Sequence, residues 1–240
     1  MTEVQLWSKH LQLDTDPRVG FLKTAHIPRA DASYDLAFKP DPLVTYLGAD
    51  EKQTLLRQFR RRCIMFLSLF VWVRSQVCLT IGRGSAIAMA IVPSKVTPSL
   101  KVRFLKWLLG VVYKKNRSLF SSKEALKRRT DYDAKLEAII GDKIGDKSKL
   151  EGMIYVPLVM TAPESQGRGY ASTLLARVTA LADSMKLSAW LVSSNIANEP
   201  FYSKHGFKTV GVFTVGDDNP TWTKGPIVVQ VMLREPKSKA

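Results

Sequence analysis

The sequence predicts a mixed α/β fold, in which a central sheet of parallel and antiparallel strands is flanked by helices. Two β-rich runs, residues 76–81 and 85–92, surround the glycine turn Gly82-Arg83-Gly84 and predict an antiparallel hairpin. Further along, the hydrophobic run 153–161 predicts a buried strand, and residues 169–185 have the spacing of an amphipathic helix. An open α/β sheet is the architecture that combines these units.

The strand at 188–193 should run parallel to the strand at 153–161, because a helix crosses between them in a right-handed unit. Pro157 interrupts the earlier strand, and proline cannot donate a ladder hydrogen bond. We therefore expect a bulge or an unpaired position there.

Helices are predicted in the first half of the chain as well. Asp41 can cap a helix that has Pro42 at its first position, after a helix that ends near Phe38. Apolar residues three and four apart within 50–70 predict an amphipathic helix that becomes fully buried, and residues 4–7 suggest a first strand.

Residues 99–149 predict a basic helical insert between the hairpin and the strand at 153–161. Apolar spacing favours a helix over 99–113, and Ser121 with Glu124 resembles a capping box that opens a second helix to about Ile140. Between residues 101 and 149 there are fourteen Lys and Arg against six Asp and Glu, so this segment carries about half of the net charge of +15. We interpret it as a solvated insert that packs over one face of the functional site, although basic surfaces also attract nucleic acid and anionic membranes.

Composition excludes several classes of protein and of site. Hydrophobic residues make up 45% of the 240 residues, which is typical of a globular chain. The longest apolar run, residues 63–73, is too short to span a bilayer, and no secretory signal is visible. Cys63 and Cys78 are interpreted as buried residues in a reducing compartment, and the three scattered histidines give no metal site. We expect a cytoplasmic location, with the nucleus as the alternative.

The loop Gln166-Gly167-Arg168-Gly169-Tyr170-Ala171 follows the strand at 153–161 and opens the helix at 169–185. The first N–H groups of a helix have no intrahelical partner, and the peptide dipoles place partial positive charge there. Glycine lets an anion approach the backbone closely. The loop is therefore a candidate phosphate site, whereas an ordinary tight turn is the alternative.

Two motifs together resemble the GNAT superfamily of acetyl-CoA-dependent N-acetyltransferases. The loop at 166–171 matches the Gln/Arg-x-x-Gly-x-Gly/Ala signature, and residues 198–207 look like the second block, Asn-x-x-x-Tyr-x-x-x-Gly-Phe. The resemblance is good over residues 151–236 and loose over the first hundred. It implies the GNAT acyl-CoA N-acyltransferase fold, with splayed parallel strands, and a single domain over residues 1–240.

The resemblance also implies a set of coenzyme contacts. The main chain of Val159 and Thr161, with Met160 between them, would pair with the pantetheine arm in a cleft beside a bulged strand. The pyrophosphate would lie on the N–H groups of residues 167–171, where Arg168 is an additional contact. Asn198 would bind the pantetheine or cap the next helix, and Tyr202 would donate to the departing thiolate. The coenzyme-binding residues implied in this way are Val159, Met160, Thr161, Gln166, Gly167, Arg168, Gly169, Tyr170, Ala171, Asn198 and Tyr202.

The sequence does not identify the general base. Many members of the family have a glutamate eleven residues before the signature Gln, and Tyr155 stands at that position. Tyrosine is a poor base at neutral pH, because its unperturbed pKa is about 10. The candidates are therefore Glu151, Glu199, Asp217, Asp218, or a chain of waters with Tyr155 as one link. In the region before residue 50, Phe38, Asp41, Leu43 and Tyr46 are candidate walls of the acceptor site.

The predicted function is transfer of an acetyl group from acetyl-CoA to an amine of a small molecule or peptide, without a metal. An O-acyl or longer-acyl transferase and a non-catalytic acyl-CoA-binding protein are the alternatives, and a homodimer is one assembly consistent with the sequence. A nucleic-acid-binding protein is a weaker alternative, because no RNP1 or helix-turn-helix pattern is present.

Overall fold

The computed structural model describes residues 11, 13–51, 54–93 and 98–237. The strand suggested at residues 4–7 lies outside these residues. In the described part the helices are α1 (Ile27–Phe38), α2 (Pro42–Leu47), α3 (Leu55–Ser75), α4 (Leu100–Phe120), α5 (Lys123–Lys143), α6 (Lys147–Glu151), α7 (Tyr170–Met185) and α8 (Glu199–Lys204). The strands are β1 (Gly20–Phe21), β2 (Val77–Ile81), β3 (Ala86–Ile91), β4 (Ile154–Thr161), β5 (Ala189–Ser193), β6 (Lys208–Val215) and β7 (Ile227–Arg234).

One mixed sheet contains all of these strands, in the order β1-β2-β3-β4-β5-β7-β6. The β2–β3 hairpin is confirmed, and β4 and β5 are parallel as predicted. Every other neighbouring pair is antiparallel. The short β1 was not predicted, since two residues carry no periodicity that could identify a strand.

Helices cover both faces of the sheet. Helix α7 covers one face through the stripe Leu174, Leu175, Val178 and Leu181, all with 0% exposure. Helices α1 and α3 pack on the opposite face of β2, β3 and β4, and α5 packs on that face over β5 and β7. The amphipathic pattern of 169–185 thus predicted the docking face of α7 correctly.

A bulge interrupts the β3–β4 ladder where Pro157 predicted one. Met89 pairs with Leu158, but Ile91 pairs with Tyr155, so β4 contains one residue more than β3 between these pairs. The extra residue changes the side-chain alternation along β4. Val156 belongs to the core on the α7 side, whereas Leu158 belongs to the core under α1 and α3.

The helix start at Asp41 is confirmed, since its carboxylate accepts a hydrogen bond from the Val44 N–H and Pro42 is the first helical residue. The second helix of the insert begins one residue later than predicted. Ser122 caps it by accepting from the Ala125 N–H, and Glu124 instead accepts from Asn219. The helix continues past Gly141, because a glycine inside a helix weakens it by only about 1 kcal/mol.

The prediction that the helix within 50–70 becomes fully buried is wrong, because even Phe66 in its second half is 44% exposed. Leu55, Leu56 and Phe59 are 84%, 68% and 67% exposed, and Cys63 is exposed too, contrary to its interpretation as a buried residue. Cys78 is buried as predicted. Spacing identifies an apolar face of a helix, but it does not reveal whether another element covers that face.

Candidate functional site

A cleft opens where the two parallel strands separate. Strands β4 and β5 pair only at Ile154–Ala189 and Tyr155–Trp190, although β4 continues to Thr161. A cavity of about 530 Å³ lies beside the unpaired part of β4. The described residues that line it are Ala37, Phe38, Pro40, Asp41, Val159, Met160, Thr161, Ser165, Gln166, Gly167, Gly169, Tyr170, Ala171, Ser172, Asn195, Asn198, Phe201 and Tyr202.

The edge of β4 presents main-chain groups to this cleft. The Ala162 N–H donates to the Ser85 carbonyl, so residues 162 and 85 form a hydrogen-bonded pair of the β3–β4 ladder. Because hydrogen-bonded and non-hydrogen-bonded pairs alternate, the polar groups of Thr161 and Val159 point away from β3, towards the gap. The Gln166 amide donates to the Thr161 carbonyl at 3.2 Å, and Thr161 Oγ1 has no partner among the described atoms.

The loop between β4 and α7 depends on two glycines. Gly167 and Gly169 have φ of 75° and 73°, in the left-handed region that other residues adopt only with strain. A Cβ built on either residue would meet no described atom within 4 Å. Glycine is therefore required for the backbone conformation, and the absence of side chains at these two positions leaves open space in front of the helix terminus.

The N-terminus of α7 is left without a side-chain cap. Gly169 occupies the N-cap position, and the first hydrogen bond of the helix runs from the Thr173 N–H to the Gly169 carbonyl. The N–H groups of Gly169, Tyr170, Ala171 and Ser172 precede that bond, and all four residues line the cleft. Together with the helix dipole, this is an arrangement that binds an anion.

Arg168 belongs to the loop, but unlike its neighbours Gly167 and Gly169 it is not among the residues that line the cleft, where an additional phosphate contact was expected. Its guanidinium donates to the Glu164 carbonyl at 3.3 Å, so the side chain is held along the loop. The side chain of Gln166, which is also exposed, links the loop to the last residue of β4. Both side chains thus stabilise the loop conformation.

Tyr202 and Asn198 lie on the opposite side of the cleft, at α8. Burial, with a smaller contribution from the negative charge of Asp41, raises the pKa of the Tyr202 hydroxyl to about 12. That hydroxyl is therefore protonated at neutral pH and can donate a proton or a hydrogen bond. Asn198 occupies the N-cap position of α8, but its side chain makes no capping hydrogen bond and remains available to the cleft.

Asp41 contributes a carboxylate to the cleft, although the sequence indicated it only as a helix cap and as a candidate wall residue. Its Oδ1 accepts from the Val44 N–H at 2.9 Å, and its Oδ2 accepts from the Ser194 hydroxyl at 2.6 Å. Among the described residues lining the cleft, no other carries a carboxylate. Phe38 also lines the cleft, whereas Leu43 and Tyr46 are buried in a core with Val229.

The acids considered as a base from the sequence lie outside this cleft lining. Glu199 accepts hydrogen bonds from Gln230 and Thr209 on the neighbouring strands. Asp217 and Asp218 pair with Lys135 at the end of β6, and Glu151 pairs with Lys147 on the exposed α6. Each of these carboxylates has protein partners of its own.

Tyr155 also lies outside the cleft lining. Its ring stacks on Trp190 with centroids 4.1 Å apart, in a core beneath α5, and burial raises the pKa of its hydroxyl. It precedes the bulge, so it faces the side of the sheet that carries α5. The catalytic role suggested by its sequence position stays a prediction without a contact in this cleft.

The basic insert does not line the cleft, contrary to the expectation that it covers one face of the site. Among the described residues, all those lining the cavity come from outside 99–149. The insert instead packs α5 on β5 to β7, and α4 on α3. Sequence reasoning also missed Ser172, whose hydroxyl lies 2.8 Å from Nε2 of His205.

The cleft suits the pantetheine and diphosphate of coenzyme A. The unpaired edge of β4 offers amide-binding groups, the α7 N-terminus offers N–H donors, and the Thr161 hydroxyl lacks a partner among the described atoms. A site for a metal is not indicated, since no group of three potential ligands occurs in the described residues.

Residues 132–209 match the family model of the acetyltransferase (GNAT) domain, which confirms the resemblance noted from the two motifs. The match starts inside α5 and extends through β4, the loop and α8. It therefore includes the whole candidate coenzyme site. No curated protein sequence matches the chain.

Solved structures share the fold at low sequence identity. The histone acetyltransferase HPA2 and related acetyltransferase from Corynebacterium glutamicum has a TM-score of 0.55 and 17% identity, with 92% of this chain and 97% of that chain covered. The insect putative arylalkylamine N-acetyltransferase 7 from the yellow fever mosquito Aedes aegypti has a TM-score of 0.55 and 13% identity, over 90% and 86% of the two chains. At this identity the likeness shows the fold alone, which is a mixed seven-stranded sheet flanked by helices.

Proposed function

We propose that this chain, a GNAT-type acyltransferase, transfers the acetyl group of acetyl-CoA to a primary amine of a small molecule or peptide. The observation that carries the proposal is the α7 N-terminus without a side-chain cap, set beside the unpaired edge of β4. When bound, acetyl-CoA would supply the thioester from which the acetyl group is transferred. Two similar structures named as a histone acetyltransferase and an arylalkylamine N-acetyltransferase support an amine as the acceptor.

The chain's own groups would hold the donor along the cleft. The N–H groups of residues 169–172 would bind the diphosphate, and the Val159 and Thr161 main chain would pair with the pantetheine amides. The Thr161 hydroxyl would gain a partner at the same time. These contacts would hold the thioester in a fixed orientation within the cleft, and such orientation contributes much of the rate.

Tyr202 would serve the leaving sulfur. With a pKa of about 12, its hydroxyl keeps its proton at neutral pH and can give it to a thiolate. Asn198, one helical turn earlier on the same side of the cleft, would orient the adjacent part of the pantetheine.

Asp41 would receive the acceptor. A primary amine is mostly protonated at neutral pH, so a carboxylate in the cleft attracts it as an ammonium ion. The hydrogen bonds from Ser194 and Val44 fix the Asp41 carboxylate, so that it positions the amine next to the thioester. Asp41, directly or through water, would also accept the proton that the amine loses before it attacks.

The test of this assignment is Asp41→Asn, measured by release of free thiol from acetyl-CoA with polyamines, amino acids, aminoglycosides, arylalkylamines and peptides. Asparagine caps helices as well as aspartate does, so α2 should remain folded. We expect kcat/KM to fall about 100-fold with little change in coenzyme affinity.

Asp35→Asn is the matched control, because Asp35 lies on α1 and pairs with Arg61 away from the cleft lining. Its kcat/KM should stay within about twofold of wild type, since exposed ion pairs contribute little. Equal activity of Asp41→Asn and wild type would remove Asp41 from the reaction.

A further inference from the structure

Helices α3 and α4 carry large apolar side chains that remain between 44% and 84% exposed among the described residues. On α3 these are Leu55, Leu56, Phe59 and Phe66, and on α4 they are Leu100, Phe104, Trp107, Leu119 and Phe120. Trp107 is 61% exposed, and its ring contacts that of Phe104, which is 57% exposed. We call this set the exposed face of the α3–α4 pair. Scattered apolar residues are normal on a surface, but nine on two neighbouring helices indicate an interaction site.

The two helices form an antiparallel pair. Ser68 and Tyr113 are joined by a 2.9 Å hydrogen bond between their hydroxyls, and the Arg60 guanidinium lies 4.0 Å from the Phe120 ring centroid. The start of α3 therefore lies near the end of α4. With 21 residues each, the helices are about 30 Å long at 1.5 Å per residue. The exposed side chains are thus distributed along two adjacent helices of this length.

The charge on this pair has one sign. Helix α3 carries five arginines, α4 carries six lysines and arginines, and neither contains Asp or Glu. Arg57, Arg61, Arg62 and Arg117 pair with acids from other segments. Within the part of the chain that the structure describes, Lys101, Arg103, Lys106, Lys114 and Lys115 form no ion pair. The surface is therefore cationic as well as apolar.

A second copy of the chain is disfavoured as the occupant of this surface, because an isologous contact would place like charges opposite each other. A nucleic acid would satisfy the charge but not the exposed leucines. An anionic lipid surface satisfies both, since Lys and Arg bind the headgroups while Trp, Phe and Leu enter the acyl boundary. None of the helices in the described ranges has the length and apolarity of a membrane span.

We propose that the α3–α4 pair docks the protein on an anionic lipid bilayer, with the exposed face in the headgroup region. Lys106 and Lys114 lie on the same helix as Phe104 and Trp107, so headgroup pairing and apolar insertion occur together. Helix α1, which forms one wall of the cleft, is joined to α3 by the Arg61–Asp35 and Arg62–Asp31 ion pairs. Docking would therefore bring the cleft close to the lipid surface.

The experiment is sedimentation of the full chain with vesicles of phosphatidylcholine alone and of phosphatidylcholine mixed with phosphatidylserine. We expect binding to the mixed vesicles, weakened by salt, and a blue shift of tryptophan fluorescence. The double variant Phe104→Ser, Trp107→Ser should lower the partition coefficient at least about tenfold, because two large apolar side chains no longer insert. The double variant Lys106→Glu, Lys114→Glu should abolish the preference for phosphatidylserine.

Val212→Ser is the control, because Val212 is 50% exposed on β6, in a different part of the sheet. It should bind vesicles like wild type. The thermal midpoint and thiol release of every variant should be unchanged, which separates loss of docking from loss of folding. Equal sedimentation of wild type and Phe104→Ser, Trp107→Ser would overturn the proposal. The proposal would also be overturned if wild type bound neither kind of vesicle but self-associated or bound RNA, and if the same substitutions abolished that association or binding.

Discussion

Replacing Arg128 with methionine should destabilise the protein substantially, although this residue does not line the cleft. Arg128 has 0% exposure and is the largest fully buried side chain of the described residues. It donates to the Tyr46 carbonyl at 2.8 Å and to the Thr221 hydroxyl at 2.6 Å, and it pairs with Asp50 at 2.8 Å. This one side chain of α5 thereby joins α2, the segment after it and the loop before β7.

The magnitude follows from what the change leaves behind. Methionine fills most of the volume, so the cavity term is small, but the buried Tyr46 carbonyl loses its charged donor at 2.8 Å and keeps longer contacts such as the Ala49 N–H at 3.4 Å, at a cost of about 1–3 kcal/mol. Asp50 is one-third exposed and can be hydrated, so losing its ion pair costs about 1 kcal/mol or less. We expect a loss of about 3 kcal/mol in unfolding free energy, which lowers Tm by about 6–12 °C for a chain of this length.

Urea and thermal denaturation, followed by circular dichroism, measure this loss. Arg129→Met is the matched control, because Arg129 follows on the same helix, is 51% exposed and pairs only at the surface with Asp133. It should change the unfolding free energy by no more than about 0.5 kcal/mol. If Arg128→Met unfolds at the same urea concentration as Arg129→Met, the buried guanidinium does not hold the insert to the sheet.

Three further predictions concern the site. Gly169→Val should weaken coenzyme A binding at least about tenfold in calorimetry, since valine disfavours the φ of 73° and places its side chain before the helix terminus. Gly225→Val is the control, because Gly225 has a φ of 82° and equally open space, and this variant should bind coenzyme A normally. Equal affinities of the two variants would refute the role of the loop. Tyr202→Phe should lower kcat more than coenzyme affinity, and an unchanged kcat would exclude proton donation by Tyr202. Burial, with a smaller effect of the Arg234 charge, lowers the pKa of His205, so the folded state disfavours the protonated imidazole. The neutral imidazole therefore contributes folding stability above the unfolded-state pKa of about 6.5, and this contribution is lost as the pH falls through the lower pKa of the folded state. Wild type should therefore lose more stability than His205→Gln between about pH 7.5 and pH 5 in urea titrations, and identical pH profiles would contradict this.

The parts of the fold predicted from sequence are those fixed by local chemistry. The hairpin around residues 82–84, the cap at Asp41 and the docking stripe of α7 each follow from neighbouring residues. Pro157 predicted the bulge in β4 because a missing N–H has the same consequence in any ladder. The loop at 166–171 is where expected, since two glycines permit its positive φ values.

The features that could not be predicted depend on which helices and strands pack against each other. Apolar spacing could not reveal that Leu55 and Phe59 remain exposed, because the sequence does not say which face of α3 meets the sheet. Asp41 was noted for its cap, but its contact with Ser194 joins residues more than 150 positions apart. Tyr155 was considered for catalysis by position alone, and the bulge that follows it sets the face on which its ring stacks with Trp190.

The central claim is that this cleft transfers an acetyl group to an amine, and mass spectrometry of the acceptor tests it most directly. Wild type would be incubated with acetyl-CoA that carries an isotopic label in the acetyl group and with each amine of the panel. We predict that one amine gains the labelled acetyl group in a one-to-one ratio with released coenzyme A, and that Gly169→Val loses this product at the same donor concentration. Coenzyme A binding without a labelled product for any amine would contradict the claim and would favour an acyl-CoA-binding protein.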